Sequence, residues 1–224
     1  MPVDPKADIC VSAFAWVPDF ARGQVRDLRV RWALEEAGIP YAVRKLDAMA
    51  ERPADYFEEQ PFGQVPSYRE GDFTMFESGA IVLHIGSRSE ALLPADPEAR
   101  ARATTWLLAA LNSMEPHIQQ LPTIDIFNAG QEWAAQRRPA VVEMIRGRLK
   151  RLSDALGDRE WLEDRFTVGD LMMVSVLRIL DGSGLVEEFP NLAAYRDRGT
   201  ARPAFRRALA AQLADFEERK TEPA

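Results

Sequence analysis

At 224 residues, 46% hydrophobic and 28% charged, the chain has the make-up of a folded globular protein with one large or two modest domains. Lys and Arg number 28 against 35 Asp and Glu, a net charge of −7, which argues against a phosphate backbone as partner, so no nucleic acid is expected. A single cysteine excludes an internal disulfide and a Cys-built metal cluster, and two separated histidines do not supply a zinc site, so no metal is expected.

No apolar run is long enough to span a bilayer, and the opening Met-Pro-Val-Asp-Pro-Lys lacks the regions of a signal peptide. The expected location is therefore cytoplasmic, with no membrane partner.

Ile9 to Ala15 is apolar nearly throughout, the pattern of a central strand covered on both faces, and Cys10 within it reads as a small hydrophobe. From about Arg22 to Ala37, Val25, Leu28 and Trp32, then Val30, Ala33, Leu34 and Ala37, recur at helical spacing until Gly38 and Pro40 stop them. A short strand follows at Tyr41 to Leu46. Its place after a helix implies parallel pairing through a right-handed crossover. Asp47 to Glu59 is polar and irregular, a loop with a short helix.

Gln60 to Ser78 reads as loop, strand, tight hairpin, strand and helix start, with Gly71-Asp72 at the turn. Pro66 opens the first of these strands, where a missing N–H is tolerated, and a Val65–Pro66 bond adopts the cis form at small cost. A cis bond would turn Val65 outward, leaving its N–H and C=O to pair with an extended peptide-like ligand as an added strand, with the Gln64 amide alongside. Ser78 is expected to cap the apolar helix that follows. The free N–H groups of such a helix start and the Ser hydroxyl suit a carboxylate, while Glu77 suits an ammonium. Carboxylate and ammonium together are the head of an amino acid. The purely structural readings, a plain helix cap and an edge-strand proline, account for either feature alone.

Leu92 to Pro97 reads as a linker, and beyond it only helices are predicted: Glu98 to Leu121, Glu132 to Leu156, Val168 to Asp181, Leu192 to Arg198 and Pro203 to Arg219. Thr167 and Asp170 form a capping box there, with Phe166 and Leu171 as a hydrophobic staple.

Gln64-Val65-Pro66 with Glu77-Ser78, Thr167 with Asp170, and Val30-Arg31-Trp32-Ala33-Leu34-Glu35-Glu36 together resemble the cytosolic glutathione S-transferase family of the bacterial type. The resemblance implies an α/β plus all-α fold: a thioredoxin-like glutathione-binding domain over 1–88, a linker over 89–97 and an all-helical domain over 98–224. It implies that Val65, before a cis-Pro66, pairs with the tripeptide backbone and that Glu77 and Ser78 hold the γ-glutamyl end, with Gln64 alongside; Lys45, at a strand end, is either a partner for the glycyl carboxylate or a solvated lysine. It also implies a two-fold homodimer with Phe62 inserted into the neighbour.

The chain departs from that family in one respect. Most members place a Tyr, Ser or Cys after the first strand to stabilise the glutathione thiolate, and between Phe14 and Arg31 there is none. Arg22, at the expected start of the first helix, and Gln24 are the substitutes; otherwise Arg22, Arg26 and Arg29 are a solvated basic face. Phe14, Trp16 and Phe20, joined by Trp106, Asn112 or Met114, are the candidate walls of a pocket for a small apolar electrophile. Three functions follow: a detoxifying glutathione transferase, a non-catalytic ligand-binding or protein-interaction module of the same shape, and a glutathione-dependent reductase or lyase.

Overall fold

The computed structural model describes residues 3–217. Two compact units divide the chain: one holds the residues up to Ser89 and again from Arg202, the other Glu90–Ala201.

In the first unit, β1 (Ile9–Phe14) is the central strand that its apolar run predicts. It is followed by α1 (Asp27–Ala37), β2 (Ala42–Leu46), α2 (Tyr56–Glu59), β3 (Ser67–Glu70), β4 (Phe73–Phe76) and α3 (Ser78–Gly86). The sheet order is β2-β1-β3-β4, with β1 parallel to β2 and antiparallel to β3, and β3 antiparallel to β4. This is the expected β-α-β-α-β-β-α arrangement of a thioredoxin-like domain. Gly71, at φ 58°, closes the β3–β4 hairpin in a conformation that costs glycine nothing.

The first helix starts later than the periodicity suggests. A 3-10 turn at Asp19–Ala21 is followed by Gly23 at φ 76°, which a right-handed helix cannot contain, so α1 begins only at Asp27.

The second unit is helical. It holds α4 (Pro97–Ala109), a π-helical segment Ala110–Met114, α5 (Glu115–Ile118), α6 (Gln120–Pro122), a second π-helical segment Thr123–Phe127, α7 (Glu132–Leu156), α8 (Val168–Leu177) and α9 (Pro190–Ala201). Asp96 caps α4, its Oδ2 accepting from Ala99 N–H at 2.8 Å with Pro97 in the first turn.

The capping box forms as predicted and does more than cap. Asp170 Oδ2 accepts from Thr167 N–H at 2.9 Å, while Oδ1 accepts from Leu162 N–H at 2.9 Å and from the Tyr195 hydroxyl at 3.0 Å. One buried carboxylate therefore ties the start of α8 to the preceding loop and to α9. A Cβ at Gly169 would stand 2.7 Å from Trp106 Cβ, so this glycine lets α4 and α8 meet closely.

The last helix, α10 (Pro203–Asp215), was expected in the helical domain but belongs to the first unit, where it packs on α1. The part of that expected helix beyond residue 217 lies outside the described residues. Trp32 meets Phe205 edge to face at 4.9 Å. Around them runs a seam of ion pairs: Arg31 with Asp27 and Asp215, each at 2.7 Å, Arg207 with Glu35 at 2.6 Å, and Arg202 with Glu36 at 2.6 Å. The nonlocal pairing of α10 with α1 explains why α1 carries charged residues on a buried face.

Candidate functional site

The register of the sheet assembles the site. Ser67 pairs with Phe76, so Val65-Pro66 and Glu77-Ser78 leave the same end of the β3–β4 hairpin. Because β1 runs antiparallel to β3, with Val11 opposite Tyr68, the C-terminal end of β1 lies at that end too. Since β2 is parallel to β1, Lys45, opposite Ala13, joins them. Residues from four strands thus converge on one sheet end.

The Val65–Pro66 bond is cis, as expected. Val65 is buried, and among the described residues neither its N–H nor its C=O has a hydrogen-bond partner. The preceding loop is held from below: Arg52 donates to Gly63 O at 3.0 Å and to the carbonyls of Asp47 and Ala50, and the Tyr56 hydroxyl donates to Gln64 O at 2.6 Å.

Ser78 was expected to be the helix cap but is the first helical residue of α3; Glu77 occupies the cap position, and its side chain makes no capping bond. Among the described residues, Glu77 is the one non-glycine with positive φ, at φ 68° and ψ 110°. Such backbone strain is retained where the surrounding structure over-determines it, often at ligand clamps. The turn exposes the Glu77 side chain and leaves Ser78 buried, with its Oγ accepting from Arg29 Nη1 at 3.4 Å.

Of the three residues expected as a solvated basic face, Arg22 and Arg26 are exposed but Arg29 is buried, at 5% exposure, and the nearby Arg31 is buried with it. The i,i+4 spacing of Asp27, Arg31 and Glu35 was the available signal.

Arg22 is also displaced from its expected setting. Four residues separate it from α1, its backbone is extended, and its guanidinium pairs with Asp19 at 3.3 Å and lies 5.8 Å above the Phe216 ring. Gln24 follows on the same turn, half-buried. Lys45 Nζ lies 3.8 Å from Asp215 and 3.7 Å from Glu217. Phe14 and Trp16 are half-buried, with Arg52 stacked 5.0 Å from the Phe14 ring, and Phe20 is exposed.

Trp106, Asn112 and Met114 lie in the other unit. The Trp106 indole N–H is committed to Glu163 at 3.0 Å, Met114 is buried, and Asn112 is exposed on the first π-helical segment. No described helix is long and apolar enough to cross a membrane. Among the described residues no group of three or more His, Cys, Asp or Glu could hold a metal ion. Cys10 is half-buried on β1, and burial raises its thiol pKa.

Sequence reading missed two hydroxyls. Ser12 and Tyr56 are buried side by side at 2.7 Å under the Gln64 loop, and burial raises the Tyr56 pKa. Ser12 sits in an apolar strand and Tyr56 in a polar stretch, so only their pairing across 44 positions marks them.

Residues 20–87 match the family model of the glutathione S-transferase N-terminal domain, and residues 131–198 that of the glutathione S-transferase C-terminal domain. Glutathione S-transferase GstA of Escherichia coli O157:H7 is 26% identical over 188 residues, 80% of this chain and 90% of that one. Among solved structures, a glutathione transferase from Burkholderia graminis with two glutathione molecules bound per subunit is 25% identical with a TM-score of 0.77, covering 91% of this chain and 88% of that one. Ure2p in complex with glutathione, 22% identical, shares the fold with a TM-score of 0.77 over 92% of this chain and 95% of that one.

Proposed function

The chain belongs to the glutathione S-transferase family, and from that premise we propose that it binds glutathione at the end of its sheet and directs the thiolate at a small apolar electrophile. The observation that carries this reading is the β3–β4 register, which sets the open main chain of Val65 beside the strained Glu77 and the start of α3. An added strand at Val65 takes the cysteinyl backbone, the Ser78 hydroxyl and the α3 N–H groups take the γ-glutamyl carboxylate, and Glu77 takes its ammonium. Gln64 stands beside the tripeptide. Lys45 takes the glycyl carboxylate in exchange for its long ion pairs with Asp215 and Glu217.

Thiolate stabilisation falls to Arg22 and Gln24 on the turn after β1, acting by side chain alone since α1 starts only at Asp27. Phe14, Trp16 and Phe20 are the proposed electrophile contacts on the first unit. The reading carries with it detoxification in the cytoplasm and pairing as a homodimer, with the 69%-exposed Phe62 as the inserted aromatic.

A second reading, a glutathione-binding module without turnover, is favoured by one observation. The two hydroxyls beneath the Gln64 loop both have their protons committed, Ser12 to Tyr56 and Tyr56 to the Gln64 carbonyl.

Mixing the purified protein with glutathione and a chloronitrobenzene acceptor separates the two. The transferase reading expects glutathione-dependent conjugate formation, with the double change Arg22→Ala and Gln24→Ala lowering kcat about a hundredfold at an unchanged glutathione Kd. Measurable glutathione affinity without any rate selects the second reading, and turnover that survives the double change removes Arg22 and Gln24 from the chemistry.

A further inference from the structure

Ser12 on β1, Tyr56 on α2 and Ser67 at the start of β3 form one buried hydroxyl cluster beneath the Gln64-Val65-Pro66 corner. Hydrogen counting gives each bond a direction. The Gln64 carbonyl can only accept, so Tyr56 donates to it at 2.6 Å. The Tyr56 oxygen then accepts from Ser12 at 2.7 Å, and Ser12 Oγ in turn accepts from the Ser67 main-chain N–H at 2.6 Å. The single Ser67 hydroxyl proton goes to the Glu59 carboxylate at 2.9 Å, where a charge-assisted bond outweighs the 3.0 Å alternative to Ser12. Glu59 is itself held by Arg44 at 2.9 Å. No proton in the chain is left free to turn.

The consequence reaches Val65 through a peptide plane. Gln64 C=O and Val65 N–H belong to one trans peptide unit and point in opposite directions. A carbonyl pinned inward by Tyr56 therefore aims the Val65 N–H outward.

We propose that Tyr56 is a positioning residue of the glutathione site: its hydroxyl, by holding the Gln64 carbonyl inward, fixes the outward aim of the Val65 N–H that pairs with the tripeptide main chain. The proposal rests on the glutathione reading above. Tyr56 touches no ligand in this arrangement and acts only through Gln64. Burial keeps the phenol protonated, as the donor role requires.

The test compares Tyr56→Phe with Ser12→Ala by three measurements: glutathione affinity by calorimetry, thermal midpoint, and hydrogen exchange of residues 60–66 in the ligand-free protein. Tyr56→Phe removes the donor to the Gln64 carbonyl, a bond that is only partly buried. It is expected to weaken glutathione binding about tenfold and speed exchange over residues 60–66 several-fold, with a small fall in midpoint. Ser12→Ala keeps the Tyr56–Gln64 bond but strands the buried Ser67 N–H, the costlier orphan. Its midpoint should fall further while its affinity falls less.

That inverted order is the signature of positioning. Affinity losses that simply track midpoint losses, or unchanged exchange over residues 60–66 in Tyr56→Phe, overturn the proposal. Wild-type protein with no glutathione affinity overturns the glutathione reading instead, and the exchange measurement still decides whether Tyr56 holds the corner.

Discussion

Replacing Arg31 with Met should cost the protein about 3–5 kcal/mol of stability. Arg31 is fully buried; its Nε donates to Asp27 Oδ2 at 2.7 Å, and its Nη2 lies 2.7 Å from Asp215 Oδ2 as a charge contact outside hydrogen-bond alignment. Asp27 is 1% exposed and has one other side-chain partner, Gln212, which donates to Oδ1 at 2.7 Å. Removing the guanidinium leaves a carboxylate in the interior with the neutral Gln212 amide as its remaining side-chain donor. Breaking a buried pair from one side costs far more than the pair contributes, because the surviving charge has lost its water as well as its partner.

At roughly 2–4 °C per kcal/mol for a chain of this size, the midpoint should drop by about 10 °C. A second change, Asp27→Leu in the Arg31→Met background, should recover a large part of the loss by removing the stranded charge. A fall of less than about 1 kcal/mol in the single variant would mean that the seam between α1 and α10 does not hold the first unit together.

Glu77→Gly should move stability and binding in opposite directions. At φ 68° and ψ 110° Glu77 holds a backbone conformation that costs a side-chain-bearing residue about 1–3 kcal/mol and glycine far less. Relief of that strain should outweigh the added freedom of the unfolded chain, so the midpoint stays level or rises. Glutathione affinity should nevertheless fall at least tenfold, because the carboxylate proposed for the γ-glutamyl ammonium is gone.

Ser78→Ala provides the complement. It removes one proposed donor to the γ-glutamyl carboxylate and leaves the α3 N–H groups, so a loss of about tenfold is expected. Equal affinity for glutathione in all three proteins would detach Glu77 and Ser78 from the ligand. A lowered midpoint in Glu77→Gly would show that the strain is not where the dihedral angles place it.

What could be read from the chain beforehand was local. The Gly71 hairpin, the cis corner at Val65–Pro66, the Thr167–Asp170 box and the span of α7 each depend on residues a few positions apart, where turn chemistry and helical periodicity decide the outcome. The start of α1 failed for a local reason too, since apolar spacing carried the helix through Gly23, whose left-handed backbone ends any such extension.

The remaining differences are nonlocal. Nothing near Pro203 signals that α10 returns to α1, where its Asp215 and Arg207 meet Arg31 and Glu35. Tyr56 and Ser12 stayed hidden for the same reason: each is unremarked in its own neighbourhood, and only the fold places one hydroxyl on the other. Glu77 and Ser78 could be considered as a pair beforehand because they are adjacent in sequence, although the cap fell one residue earlier than the Ser78 hydroxyl suggested.

The most direct measurement is a crystal structure of the protein grown with reduced glutathione. The γ-glutamyl head should lie between Glu77 and the first turn of α3, with the cysteinyl main chain paired to Val65 N–H and C=O and the sulfur turned toward the turn after β1. Crystals in which glutathione occupies some other surface, or in which this end of the sheet holds none at saturating concentration, would contradict the assignment.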